Sequence, residues 1–336
     1  MIRLSVRIVS VAALAAFSLP VLEASAQQQA PPAPEQTPSV VTVPTGPAPV
    51  AAPVFPKPDP ANFTAATPTK EAVSTFLQVN LGFDENRVWE VWSIQKTPAE
   101  GVSKVVVLYG DKTGKQQPGR FEFFTLPDGK HIIVVGADNV VPFGDHPFAE
   151  YRAELQQHAD GPYRGTASKD LEIVEFADFQ CPHCKDAQAN MEKLVVDFPK
   201  ARIVFQTFPL ERIHSASRAA ASYGVCVTKE GGSNAFFQFA SAVFDGQDGL
   251  ATADGATMTL NSAVTKAGLE PSKIAACAAT PETKAMVDAS IKLALDVNVT
   301  SVPTLMVNGR QVPANTPYET IKQIIEYQAK LDGIAQ

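Results

Sequence analysis

Glu175-Phe176-Ala177-Asp178-Phe179-Gln180-Cys181-Pro182-His183-Cys184 joins two kinds of pattern. Leu171 to Phe176 is a short apolar run, Pro182 to Phe198 carries Ala187, Met191, Leu194 and Val195 at helical spacing, and Arg202 to Phe208 is a second strand-like run. Strand, helix and strand in that order predict a βαβ unit with parallel strands. The cysteines therefore sit where a strand passes into a helix. Pro182 suits the first helical position, where its missing N–H is not needed. Cys181 lies at the positive end of the helix dipole, beside backbone N–H groups without helical partners, and both features favour a thiolate. Cys184 returns on the same turn within bonding reach, so the pair can pass between dithiol and disulfide without refolding. His183 adds a donor, and a positive charge when protonated. A stabilised thiolate stabilises the reduced form, and each 1.4 kcal/mol of it raises the couple by about 30 mV, toward donating a disulfide.

Other readings of the same residues exist. A CxxC is half of a zinc site, but the remaining cysteines, Cys226 and Cys277, are isolated and have no His at ligand spacing. An inert structural disulfide is the other alternative. The chain's 336 residues suffice for two domains with cores, and a net charge of -7 offers no basic patch for nucleic acid. No cofactor or metal is implied beyond the cysteine pair itself.

Working outward, residues 1–26 read as a signal peptide: Arg3 and Arg7, an apolar stretch from Ile8 to Leu22, then Ala24-Ser25-Ala26 as a cleavage site. The apolar run is broken by Ser18 and Pro20 and is short for a membrane span. The mature protein is expected in an oxidising space, periplasmic or secreted, after cleavage near Ala26. Residues 27–66, rich in Pro and Ala, read as a disordered linker. Order is expected to begin near Thr67. Thr69 is a candidate N-cap for a helix with Val73, Phe76, Leu77 and Leu81 on one face. Three or four strands follow, at 88–94, 102–109, 121–126 and 131–135. That gives a small α+β module over 67–145, with a connecting helix in 146–164. After the βαβ unit come helices from about His214 to Val297, a strand at Thr304 to Val307, a turn at Asn308 and Gly309, and a last helix from Tyr318 to about Leu331.

Residues 175–184, with their Cys-Pro-His-Cys, resemble the active-site strand and helix start of the DsbA-like thioredoxin family, and Val302-Pro303-Thr304 resembles that family's cis-proline loop. The resemblance covers roughly Gly165 to Leu331. It implies an α/β thioredoxin fold over 165–336 with an inserted helical subdomain at about 213–297, preceded here by the small α+β domain. It implies that Cys181 is the exposed nucleophile, Cys184 the buried resolving thiol and Pro303 a cis residue beside them. Glu175 corresponds to a buried acid that could move the proton of Cys184; an ordinary strand-end acid facing solvent is the alternative. His214, at the start of the insertion, is read as a capping or packing residue. Cys226 and Cys277 both fall within the insertion, and in an oxidising compartment a bond between them would close a loop of about 52 residues, worth roughly 4 kcal/mol. Two buried free thiols are the other reading.

The implied activity is thiol-disulfide exchange with reduced or unfolded exported proteins, in the oxidising direction, with a membrane redox partner to restore the disulfide. The module at 67–145 departs from a minimal oxidase. Its position and size allow an isomerase or reductase of the DsbC and DsbG kind, a homodimer joined through that module. A non-enzymatic chaperone or adaptor is a third reading.

Overall fold

The computed structural model describes residues 55–113, 118–136, 140–313 and 316–334. The signal-peptide expectation at 1–26 and most of the linker expectation lie outside these residues. The end of the linker does not follow the expectation. Asp59 caps a 3-10 turn over Pro60–Asn62, Phe63 packs on the module core, and the amides of Thr64 and Ala65 both donate to Ile94 O. One aromatic ring and an open strand edge are enough to order the chain about eight residues before Thr67.

Thr69 caps α1 (Lys70–Leu81) as expected, its hydroxyl accepting the Ala72 amide at 3.1 Å. Helix α1 lays Val73, Phe76 and Leu77 on an antiparallel sheet of β1 (Arg87–Lys96), β2 (Ser103–Asp111), β3 (Gly119–Thr125), β4 (His131–Val134) and β5 (Val140–Pro142), paired in sequence order. Strand β5 falls where Pro142 signals the module's end, and at three residues it is too short to show alternation.

Helix α2 (Ala149–His158) leads to β6 (Tyr163–Gly165), an antiparallel edge strand of a second sheet. That sheet thus starts before Gly165, within the segment expected to be a connecting helix. Its centre is the expected βαβ unit: β7 (Glu172–Ala177), α3 (Pro182–Asp197) and β8 (Arg202–Thr207), the two strands parallel. Four helices follow: α4 (Ser217–Asp245), kinked at Gly232, α5 (Ala253–Lys266), α6 (Pro271–Ala278) and α7 (Pro281–Asp296), with a 3-10 turn over Gln247–Ala251 after α4. The chain then returns as β9 (Thr304–Val307), β10 (Arg310–Val312) and α8 (Tyr318–Leu331). The sheet order is β10-β9-β7-β8-β6, with β9 antiparallel to β7.

Every residue of β7 is buried, because both faces of the sheet are covered. Ile173 faces Met191 and Leu194 of α3 and Ile325 of α8, whereas Val174 and Phe176 face Leu155 of α2 and Leu293 of α7. The most enclosed strand therefore ends at the cysteine turn. Arg310 ties the module to this domain. Its guanidinium donates to Val79 O and Asn80 O, carbonyls of the last turn of α1, while its Nε bonds Gln328 at 2.9 Å and its face lies 4.3 Å from the Phe148 ring.

Candidate functional site

Where β7 stops, Asp178, Phe179 and Gln180 turn the chain so that Cys181 becomes the N-cap of α3 with extended backbone angles, and Pro182 takes the first turn. The carbonyl of Cys181 accepts from the amides of Cys184 and Lys185 at 3.1 and 3.2 Å, closing that turn. Both thiols are free. Cys184 is fully buried, and Cys181, expected to be exposed, is only 6% exposed. The rim formed by the Val302 loop and the insertion covers most of it: Cys181 Sγ lies 3.9 Å from Val302 O and packs in the core of the insertion.

The two thiols titrate far apart. The Cys184 thiol, hydrogen-bonded to Cys181, is the largest cause holding Cys181 down at about 6; the backbone amides of Cys184 and His183 add to it, against burial and the charge of Asp178. The same contact, with burial, pushes Cys184 well above the ordinary thiol range. His183 thus acts through its amide, whereas its imidazole is exposed and is not among the groups that lower Cys181. The unpaired backbone N–H groups expected to favour the thiolate are those of Cys184 and His183, and the further donor expected from the His183 side chain is not among the groups that lower Cys181.

The Val302–Pro303 peptide is cis, and Pro303 is buried beside the thiols. A cavity of about 370 Å³ opens there, lined by His183, Asn190, Val302, Pro303 and Glu175. Glu175 does not face solvent: it is 3% exposed and accepts a 2.9 Å bond from Gln188 Nε2, which also donates to Cys184 O at 3.1 Å. Burial is the main cause that raises Glu175 to about 7. The strand-end alternative is overturned, because its register between Phe205 and Leu305 puts it mid-sheet.

Cys226 and Cys277 form a disulfide, S–S 2.01 Å, that joins α4 to α6. Bonded to each other, they are neither free thiols nor thiolate ligands for a zinc ion shared with the CxxC.

Several residues not singled out for the site surround the turn. Asp178 is buried, takes hydrogen bonds from the Gln180 and Leu210 amides, and lies 2.8 Å from His214 Nδ1. His214 is therefore a partner of the active-site turn rather than a simple cap. Gln247, in the 3-10 turn after α4, donates to both Phe179 O and Cys181 O. Asp178 stands three residues before Cys181, and nothing local to the sequence marks Gln247, 66 residues away.

A profile described as thioredoxin matches residues 157–327, half of the chain. The chain belongs to the thioredoxin family. The fold follows that assignment: a thioredoxin sheet with a helical insertion, behind an additional α+β domain. Among curated proteins, the Na(+)/H(+) antiporter NhaA 3 of Salinispora tropica is 32% identical over 91 residues, 27% of this chain and 14% of the antiporter. The chain thus matches a small part of that relative's length. Among solved structures, a thioredoxin-like oxidoreductase from Silicibacter pomeroyi is 23% identical, with 53% of this chain and 98% of that one covered and a TM-score of 0.45. The thiol-disulfide exchange protein alpha-DsbA2 of Wolbachia pipientis is 19% identical, covers 53% of this chain and 95% of its own, and gives a TM-score of 0.45. Among the described residues, no helix is long and apolar enough to cross a membrane.

Proposed function

We propose that this thioredoxin-family chain is a thiol-disulfide oxidoreductase that donates its Cys181–Cys184 disulfide to reduced client proteins. The observation that carries the reading is the asymmetry of the two thiols on one helical turn: Cys181 held near 6 at the helix start, Cys184 buried behind it and pushed up.

In the oxidised protein, a client thiolate attacks Cys181 Sγ. The bond to Cys184 breaks, Cys184 leaves as a thiolate and takes a proton, and a mixed disulfide joins Cys181 to the client. A second client thiolate attacks the client sulfur of that bond and expels Cys181 as a thiolate. The client gains one disulfide, and the cysteine pair gains two electrons. Cys181 is the better leaving group because its thiolate is stabilised. At pH 7 a thiol held near 6 stabilises the reduced pair by about 1.4 kcal/mol over an ordinary one, roughly 30 mV toward oxidation. Glu175, itself near 7 and bridged through Gln188 to the carbonyl of Cys184, is placed to exchange the proton that Cys184 gains or gives up. Pro303 and Val302 form the wall against which a client strand lies.

The signal-like N-terminus and the Cys226–Cys277 bond support an exported setting, periplasmic or secreted. Clients are then reduced exported proteins, and a membrane redox partner takes the two electrons back. The test is a pair of refolding assays, with reduced and with scrambled ribonuclease, on the wild type and Cys181→Ser. Oxidation of the reduced substrate by the wild type and its loss in the variant are expected. Activity on scrambled substrate alone would overturn the oxidising direction, and full activity of Cys181→Ser would overturn the site.

A further inference from the structure

The turn that carries Cys181 is fastened mainly to the helical insertion. Gln180 Oε1 accepts the Ala216 amide at 2.8 Å, Gln180 Nε2 donates to Leu250 O at 3.2 Å, and Gln247 donates to Phe179 O and Cys181 O at 2.9 and 3.0 Å. All of these are neutral. Asp178 is the exception. Its side chain is fully enclosed, and a carboxylate in that position is tolerated only when it is satisfied. Oδ1 accepts the Gln180 amide, Oδ2 accepts the Leu210 amide, and Oδ2 is also 2.8 Å from His214 Nδ1. The backbone amide of Asp178 points the other way and donates to Cys184 Sγ at 3.4 Å. One residue therefore holds the entry to the insertion with its carboxylate and the resolving thiol with its main chain.

We propose that Asp178 and His214 are a positioning pair that locks the cysteine turn to the insertion and, one charge balancing the other, sets how strongly the Cys181–Cys184 couple oxidises, an inference that rests on the exchange activity proposed above. A fixed anion beside the turn opposes a second negative charge on Cys181. His214 Nδ1 donates to that carboxylate and fixes its place, and a positive charge on the ring would offset the anion. Ionisable groups around the thiols are Glu175 on β7 and His183 on α3, with the exposed Lys185 and Asp186 on the same helix. Glu211 and Arg212, on the loop before α4, and Asp248, in the 3-10 turn, are exposed, and Glu211 is engaged by Arg218.

A purely structural role would loosen the turn in the same sense whichever partner is changed. An electrostatic pair moves Cys181 in opposite senses. The experiment is the pH titration of Cys181 in the reduced full chain, read by thiolate absorbance and by alkylation, for the wild type, His214→Gln and Asp178→Asn. His214→Gln keeps a donor for Asp178 but no positive charge, and is expected to raise the Cys181 midpoint by about half a unit, a roughly twofold loss of thiolate near pH 6. Asp178→Asn removes the anion and is expected to lower it by a similar amount, with the couple more oxidising. Shifts in the same direction, or none, overturn the proposal. If Asp178→Asn does not fold, His214→Gln decides: an upward shift supports the pair, and an unmoved or lowered midpoint sinks it. A wild type with no exchange activity on a reduced peptide would instead remove the functional reading beneath it.

Discussion

Replacing Cys184 with Ala tests the origin of the acidity of Cys181. Its thiol supplies the largest of the causes that hold Cys181 near 6, and the amides of Cys184 and His183 supply the next. Ala deletes the first cause and keeps the amides, because the helix start does not change. A hydrogen bond to a charged group contributes about 1.5–3 kcal/mol, which at 1.36 kcal/mol per unit raises the Cys181 midpoint by roughly one to two units. Cys184→Ser keeps an O–H donor at the same place and is expected to stay near 6. The assay is iodoacetamide alkylation of the reduced proteins across pH 4–9. At pH 6.5 the Ala variant should react roughly three- to twenty-fivefold more slowly than the Ser variant, as the midpoint rises by one or by two units. The sign of the stability effect follows. A thiol held below its ordinary range stabilises the reduced fold as pH rises, and that contribution is lost as pH falls through about 6. If the Ala and Ser variants titrate together near 6, the helix amides alone set the acidity, and the thiol–thiol bond is not its source.

Other perturbations reach the rest of the site and the fold. Glu175, raised from 4.5 to about 7, contributes stability below its unfolded value that is lost as pH rises through 7; Glu175→Gln should therefore gain up to roughly 3 kcal/mol in denaturant melts at pH 8 and almost nothing at pH 4, with slower release of mixed disulfide. Equal stability changes at both pH values would contradict the assignment. Replacing Cys226 and Cys277 together with Ala opens a loop of 51-residue separation and should cost about 4 kcal/mol in chemical denaturation while leaving the Cys181 titration in place. Arg310→Met should cost on the order of 3 kcal/mol and expose the 81–87 connection to limited proteolysis, since the end carbonyls of α1 lose their donor; an unchanged cleavage pattern would mean that the packing of Phe83 suffices to hold the module.

The sequence by itself determined whatever is written in local order. The βαβ unit, the position of the cysteines at the start of α3, the cap at Thr69 and the helix over Tyr318–Leu331 follow from periodicity, proline and capping within a few residues, whereas the roles of the two cysteines were implied by the family resemblance. Two short strands, β5 and β6, lacked enough residues to show a period, and they exist because a neighbouring edge offers them partners. The ordered Phe63 arises in the same way. The environment of the cysteines was a tertiary decision. Burial of Glu175 depends on strands on either side of it, the encounter of Asp178 with His214 spans 36 residues, and the hold of Gln247 on the Cys181 carbonyl spans 66. The motif thus specifies which atoms react and, through the Cys184 thiol and the amides of the first turn, what lowers Cys181, but the desolvation that raises Glu175 and adds to the rise of Cys184 exists only once the chain is packed.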